Sequence, residues 1–187
     1  DAKQSLPDGV DYANLVTNYV ERFASKLTCF DDIRPHLAAL HKTPDVPHQP
    51  LTSETSITQR INAEKIALFF EQGASADDLL QAYIESLEHV HEPSTEMQPG
   101  DDLALLAFYV TLAKSSSVEN LIQAAAIASY ACEKSARAYK LRLLLIRLLL
   151  RLGCLKLAVY HFDALELKAV QLDTMSHYLF DRNASFG

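Results

Sequence analysis

Apolar residues recur at helical spacing along most of this chain, and that periodicity constrains the fold more than any other feature. When successive residues advance by about 100° around an axis, Tyr12, Leu15, Val16, Tyr19, Phe23 and Leu27 fall on one face, which predicts an amphipathic helix over 10–27. A shorter helix is expected over 30–40, with Asp31 and Asp32 suited to its positive N-terminal end, Pro35 in its first turn, and Leu37, Ala38 and Leu40 apolar. Residues 42–53 carry Pro44, Pro47 and Pro50 and little periodicity, so they read as an extended loop. Helix resumes near Glu54. There Ile57, Ile61 and Leu68 share a stripe, 66–70 is apolar nearly all round, and Gly73 is expected to end the element.

Ser75 followed three residues later by Asp78 has the form of a capping box, and Leu79, Leu80, Tyr83, Ile84, Leu87 and Val90 then keep helical spacing. A second loop is expected over 91–100, which carries Pro93 and Pro99. Asp101 then opens a helix containing 103–112, and Ser116 with Glu119 forms another candidate capping box ahead of 121–132. Within that last stretch Ala124, Ala125, Ala126, Ala128 and Ala131 leave little side-chain bulk, so a neighbouring helix can approach closely. Further helices are expected over 137–152, 155–165 and 170–180, and no strand pair or hairpin turn is evident.

The sum is about nine helices joined mostly by short turns, the pattern of stacked helical hairpins. Gly153 lies at one such turn, and Ala158 and Phe162 after it match the A-x-x-x-F element of a tetratricopeptide repeat, in which the small residue lets two helices close and the aromatic fills the gap behind. The expected fold is therefore all-α, with tetratricopeptide-like helix pairs stacked as a superhelix. Residues 1–187 read as a single helical segment. The chain starts at Asp1 without an initiator methionine and stops soon after a promising helix, so it is expected to be part of a longer scaffold.

With 49% hydrophobic and 22% charged residues the chain has globular composition, and a net charge of −7 argues against coating DNA or RNA wholesale. The longest apolar region, 141–152, is interrupted by Arg142, Arg147 and Arg151 and is shorter than a bilayer span, which predicts a core helix and no membrane anchor. Cys29, Cys132 and Cys154 are widely spaced, without a C-x-x-C, and are expected as small buried hydrophobes in a reducing cytoplasm.

No catalytic or metal constellation assembles from the sequence. His36 and His41, and His89 and His91, lack the i, i+3 or i+4 spacing that puts two ligands on one helix face, and no cysteine pair stands nearby. His161 and His177 lie on apolar-periodic helices without a nucleophile motif, and the glycines are too scattered for a phosphate loop. Adjacent acids at 31–32, 77–78 and 101–102 stand at helix starts, where the helix dipole favours them. Catalytic residues, metal ligands and cofactors are accordingly expected to be none.

One charged feature has a direction. Between 134 and 156 the chain carries Lys134, Arg137, Lys140, Arg142, Arg147, Arg151 and Lys156 against Glu133, and on a helical wheel Lys140, Arg147 and Arg151 fall within about 40° of one another. Arg142 points to the opposite, apolar side. The stripe suits an acidic partner or RNA phosphate; as ordinary surface it would be a solvated face with arginines pairing locally.

The string Leu143-Leu-Leu-Ile-Arg-Leu-Leu-Leu-Arg-Leu-Gly153, with Phe162-Asp-Ala-Leu165 and Gln171-Leu-Asp-Thr-Met-Ser-His-Tyr-Leu-Phe-Asp-Arg182, resembles the non-catalytic subunit of the N-terminal acetyltransferase B complex. Cys29-Phe-Asp-Asp-Ile-Arg-Pro-His-Leu37 is similar to an element of the same family. Leu149 departs from it, an aromatic residue being expected there in many relatives. The resemblance implies a piece of a longer superhelix that wraps a small GNAT-fold acetyltransferase as a heterodimer. It also implies association with ribosomes in the cytoplasm and acetylation of emerging amino termini that begin with Met followed by Asp, Glu, Asn or Gln. Acetyl-coenzyme A would bind the catalytic partner. A general tetratricopeptide-like adaptor that reads peptides in its groove is the other reading of the same fold.

Overall fold

A computed structural model describes residues 11–38, 40, 50–89 and 98–167, which fall into two compact units, Asp1–Ala74 and Ser75–Gly187. Among the described residues there are eight α-helices, one short 3-10 turn and no strand. The expected helix over 170–180, most of the loop over 42–53 and most of the loop over 91–100 lie outside the described residues.

The first unit contains α1 (Tyr12–Phe23), α2 (Cys29–Leu37) and α3 (Glu54–Phe69). Asp11 caps α1 by accepting from the Asn14 N–H. Its buried stripe is Val16 and Val20, extended by Ala24, while Leu15 and Phe23 are exposed. Leu27 is exposed too: α1 ends at Phe23, earlier than the periodicity predicts, so Leu27 falls in the turn and leaves the apolar face. Pro35 lies beyond the first turn of α2, because the helix already starts at Cys29; α2 then ends at Leu37, soon after the missing proline N–H. Val16, Val20, Ala24, Ile33, Leu37, Leu40, Ala63 and Ile66 form the core, with Tyr12, Tyr19, Phe30 and Phe70 packed around it. Ser53 caps α3 through a reciprocal box with Ser56, a serine pair that the usual acidic pattern does not reveal.

The buried Glu64 fixes the end of this unit. Arg60 Nε donates to its Oε1 at 2.8 Å and the Ala74 N–H donates to its Oε2 at 3.1 Å, so both charge and lone pairs are satisfied.

The second unit contains α4 (Ala76–Ser86), α5 (Asp101–Lys114), α6 (Val118–Lys134), α7 (Tyr139–Arg151) and α8 (Leu155–Asp163). Each packs chiefly on the next in the chain, as expected of stacked helical hairpins in a solenoid-like all-α arrangement. The expected box at Ser75 and Asp78 is formed, with both side chains bonded to the opposite backbone N–H. The cap of α6 is one residue later than the sequence suggests. Ser117, rather than Ser116, accepts from the Asn120 N–H, and Ser115 Oγ accepts from the Ser117 N–H and from the Asn120 side chain, so Glu119 is left in the first turn. Ser117→Ala is therefore expected to lower thermal stability by about 1 kcal/mol, and Ser116→Ala by less than about 0.5 kcal/mol, in paired melting curves.

Asp101 opens α5 as expected, but its role extends beyond the helix dipole. It is buried, and its Oδ2 accepts from Ser135 Oγ at 2.7 Å and from the Gln98 N–H at 3.1 Å, which ties the start of α5 to the turn between α6 and α7. Small residues bring the helices together: Ala104, Ala107, Ala124, Ala128, Ala131 and Ala158 are all inaccessible to solvent. At the α7–α8 turn Gly153 has φ +75°, a conformation that a side chain resists, and Ala158 and Phe162 are both buried beyond it. Leu149 is buried as well, holding as an aliphatic residue the place where an aromatic is expected in the family.

Candidate functional site

The cationic stripe is built by α7. That helix buries Leu141, Leu145, Ile146, Leu148, Leu149 and Leu150, which turns Lys140, Arg147 and Arg151 outward, and all three are exposed. Lys140 borders a shallow recess that Asp101 and Asp102 also line, so carboxylates flank the stripe at its N-terminal end. Two further cations are engaged with aromatic rings: Lys134 Nζ lies 5.5 Å from the Tyr130 ring centroid, and the Arg137 guanidinium lies over Tyr139 while also donating to its hydroxyl.

Arg142 takes the opposite direction, as the helical wheel predicts. It is only 6% exposed, and its Nη2 donates to the Cys132 carbonyl at 3.1 Å and the Ala136 carbonyl at 3.5 Å. These bonds brace the turn between α6 and α7. Arg142 also borders a cavity of about 610 Å³ between α6, α7 and α8, together with Glu133, Tyr139, Leu157, Tyr160 and His161. The sequence places His161 on an apolar-periodic helix without a nucleophile motif, and does not reveal its meeting with Arg142. The signal available was its place on the apolar side of α8, three residues after Ala158.

Burial, then the positive charge of Arg142, lowers the His161 pKa, while Glu133 opposes the shift. The unfolded chain therefore takes up the proton first, near the ordinary value of about 6.5. Stability contributed by neutral His161 is present above that pH and falls as pH drops through it towards the lower folded value. His161→Phe is expected to flatten the fall in stability between about pH 7.5 and 5.5, read as a urea midpoint that changes less with pH than that of the parent chain.

Cys29 and Cys132 are buried, and desolvation pushes each thiol up to about 11, which makes them packing groups and poor nucleophiles at neutral pH. Cys154 corrects the sequence expectation: it lies exposed at the α7–α8 turn. His41, His91 and His177 lie outside the described residues, among which no group of three or more potential ligands is placed to hold a metal. No described helix is long and apolar enough to cross a membrane.

Helices that pack each on the next in the chain through alanine-lined contacts define an all-α protein of solenoid-like arrangement. The model of the family described as N-acetyltransferase B complex (NatB) non catalytic subunit matches residues 2–187, and the chain belongs to that family. It is therefore not itself the catalytic enzyme of the complex. The chain is also 25% identical over 197 residues to the Phagocyte signaling-impaired protein of Drosophila pseudoobscura pseudoobscura, a match that takes in 89% of this chain and 20% of that protein. It thus spans about a fifth of the length of this relative.

Proposed function

We propose that this chain is a segment of the auxiliary subunit of NatB, and that the subunit binds a GNAT-fold catalytic partner and positions it for co-translational N-terminal acetylation in the cytoplasm. The family match across residues 2–187 carries this reading. The fold supports it physically. Stacked hairpins offer long continuous faces that hold a partner by many small contacts, a task for which no reactive side chain is needed.

Within that reading the stripe of Lys140, Arg147 and Arg151 faces an acidic surface of the assembly or ribosomal RNA. Three outward cations on one helix raise the local potential of a chain whose net charge is −7. Affinity capture of the full-length protein, followed by identification of what co-purifies, is expected to return a GNAT-fold protein. Acetyltransferase activity in the isolated full-length chain, with no such partner, would overturn the reading. Reversing charge at Lys140, Arg147 and Arg151 together is expected to weaken ribosome or partner association about tenfold, with helicity unchanged by circular dichroism. Unaltered association on both counts would make the stripe a solvated face.

A further inference from the structure

Buried polar atoms without a hydrogen-bond partner in the protein gather where α5 begins: Tyr83 Oη, Gln98 Oε1 and Asp101 Oδ1. The three side chains are sealed from solvent, with Tyr83 0%, Asp101 2% and Gln98 6% exposed. Gln98 is joined to Asp101 through the bond from its N–H to Oδ2, and the Tyr83 ring lies against Gly100, where an added Cβ would sit 3.6 Å from Cδ2. Oδ2 also accepts from Ser135 Oγ, so one carboxyl oxygen of Asp101 is used twice and the other not at all. No cation pairs with Asp101 among the described residues. With Asp101 ionised, the Tyr83 hydroxyl brings the one hydrogen available to the two acceptor oxygens left over, Gln98 Oε1 and Asp101 Oδ1. A proton on Asp101 supplies the second. A buried anion without a counter-charge is costly, and an acid so placed keeps its proton instead.

We propose that Asp101 is a proton-gated latch, which ties the start of α5 firmly to the α6–α7 turn when its carboxyl is neutral and loosens that tie when it ionises. Burial is the largest influence on the group and outweighs the bonds from Ser135 and Gln98, which favour the anion; the neighbouring Asp102 adds to the burial effect. The acid therefore holds its proton to higher pH than an ordinary aspartate. Tyr83 on α4 and Cys132 on α6 face it, and burial raises both groups, so neither changes charge at neutral or mildly acid pH. Lys140 on α7 borders the same recess as Asp101 and Asp102. Because the folded chain binds this proton more tightly than the unfolded chain, the stability it contributes is present at low pH and is lost as pH rises through the folded value. The latch lies within the second unit and does not rest on the acetyltransferase reading.

The test compares the full-length chain with its Asp101→Asn variant, whose amide carries permanent hydrogens where the acid would carry its proton. Backbone hydrogen exchange is followed at the start of α5 and at the α6–α7 turn, corrected for the intrinsic effect of pH. At pH 7.5 the variant is expected to be protected at least about threefold more than the parent, and the gap to close progressively on acidification. Ser135→Ala, made in both chains, removes a donor that favours the anion and is expected to move that closure to higher pH. Should the Asn variant unfold, the labelled carboxyl carbon of Asp101 in the parent decides, with a midpoint expected above the ordinary value of about 3.9. A gap that does not change with pH, weaker protection in the Asn variant at pH 7.5, or a midpoint at or below the ordinary value overturns the latch.

Discussion

Asn62→Ala is expected to destabilise the first unit by about 3 kcal/mol, read as a lower urea midpoint at unchanged slope. Asn62 is 1% exposed on α3, and its side chain serves backbone groups from distant parts of the sequence. Its Nδ2 donates to the Ala24 carbonyl and the Lys26 carbonyl, each at 2.8 Å, and its Oδ1 accepts from the Phe30 N–H at 3.3 Å. One amide therefore holds the end of α1, the turn after it and the start of α2. Alanine removes those partners and leaves a cavity that the surrounding helices fill only in part. Each orphaned buried group costs about 1–3 kcal/mol, with partial relief where the turn opens to water. Asn62→Asp is expected to be worse still, since a carboxylate there lacks both donors and faces two carbonyl oxygens. A loss below about 0.5 kcal/mol, the usual range for surface positions, would mean that this amide does not organise the unit.

Phe108→Ala carries the other large effect, about 3–5 kcal/mol from the second unit. Phe108 is 2% exposed on α5, the helix that packs between α4 and α6. Truncation removes the transfer energy of the ring and leaves a void in the buried face of α5, whose other buried residues include the small Ala104 and Ala107. The adjacent ring provides the control. Tyr109 is 49% exposed, so Tyr109→Ala is expected to change the urea midpoint by no more than about 1 kcal/mol. Equal losses at the two positions would mean that α5 is rotated relative to its neighbours.

These two rings also show where sequence reading stops. Residues 103–112 are apolar nearly all round, so periodicity identifies the helix but cannot say which of Phe108 and Tyr109 is inside. The same holds for Val118 and Ile122, which α6 leaves exposed, and for Cys154, which resembles Cys29 and Cys132 in sequence but lies in an exposed turn. The outward stripe was easier to read, because charged residues rarely enter a core without partners and Lys140, Arg147 and Arg151 share one face.

By itself the sequence determined the all-α class, the approximate position of each described helix, the Ser75–Asp78 box, the glycine turn at Gly153 and the closure around Ala158 and Phe162. Each is set by residues within a few positions of one another, so local spacing suffices. Only the tertiary structure decided the bonds of Asn62 to the α1–α2 turn, the tie between Asp101 and Ser135, and the meeting of Arg142 with His161 around one cavity. Those partners are distant along the chain or lie on different helices. Packing angles bring them together, and no periodicity within a single helix encodes a packing angle.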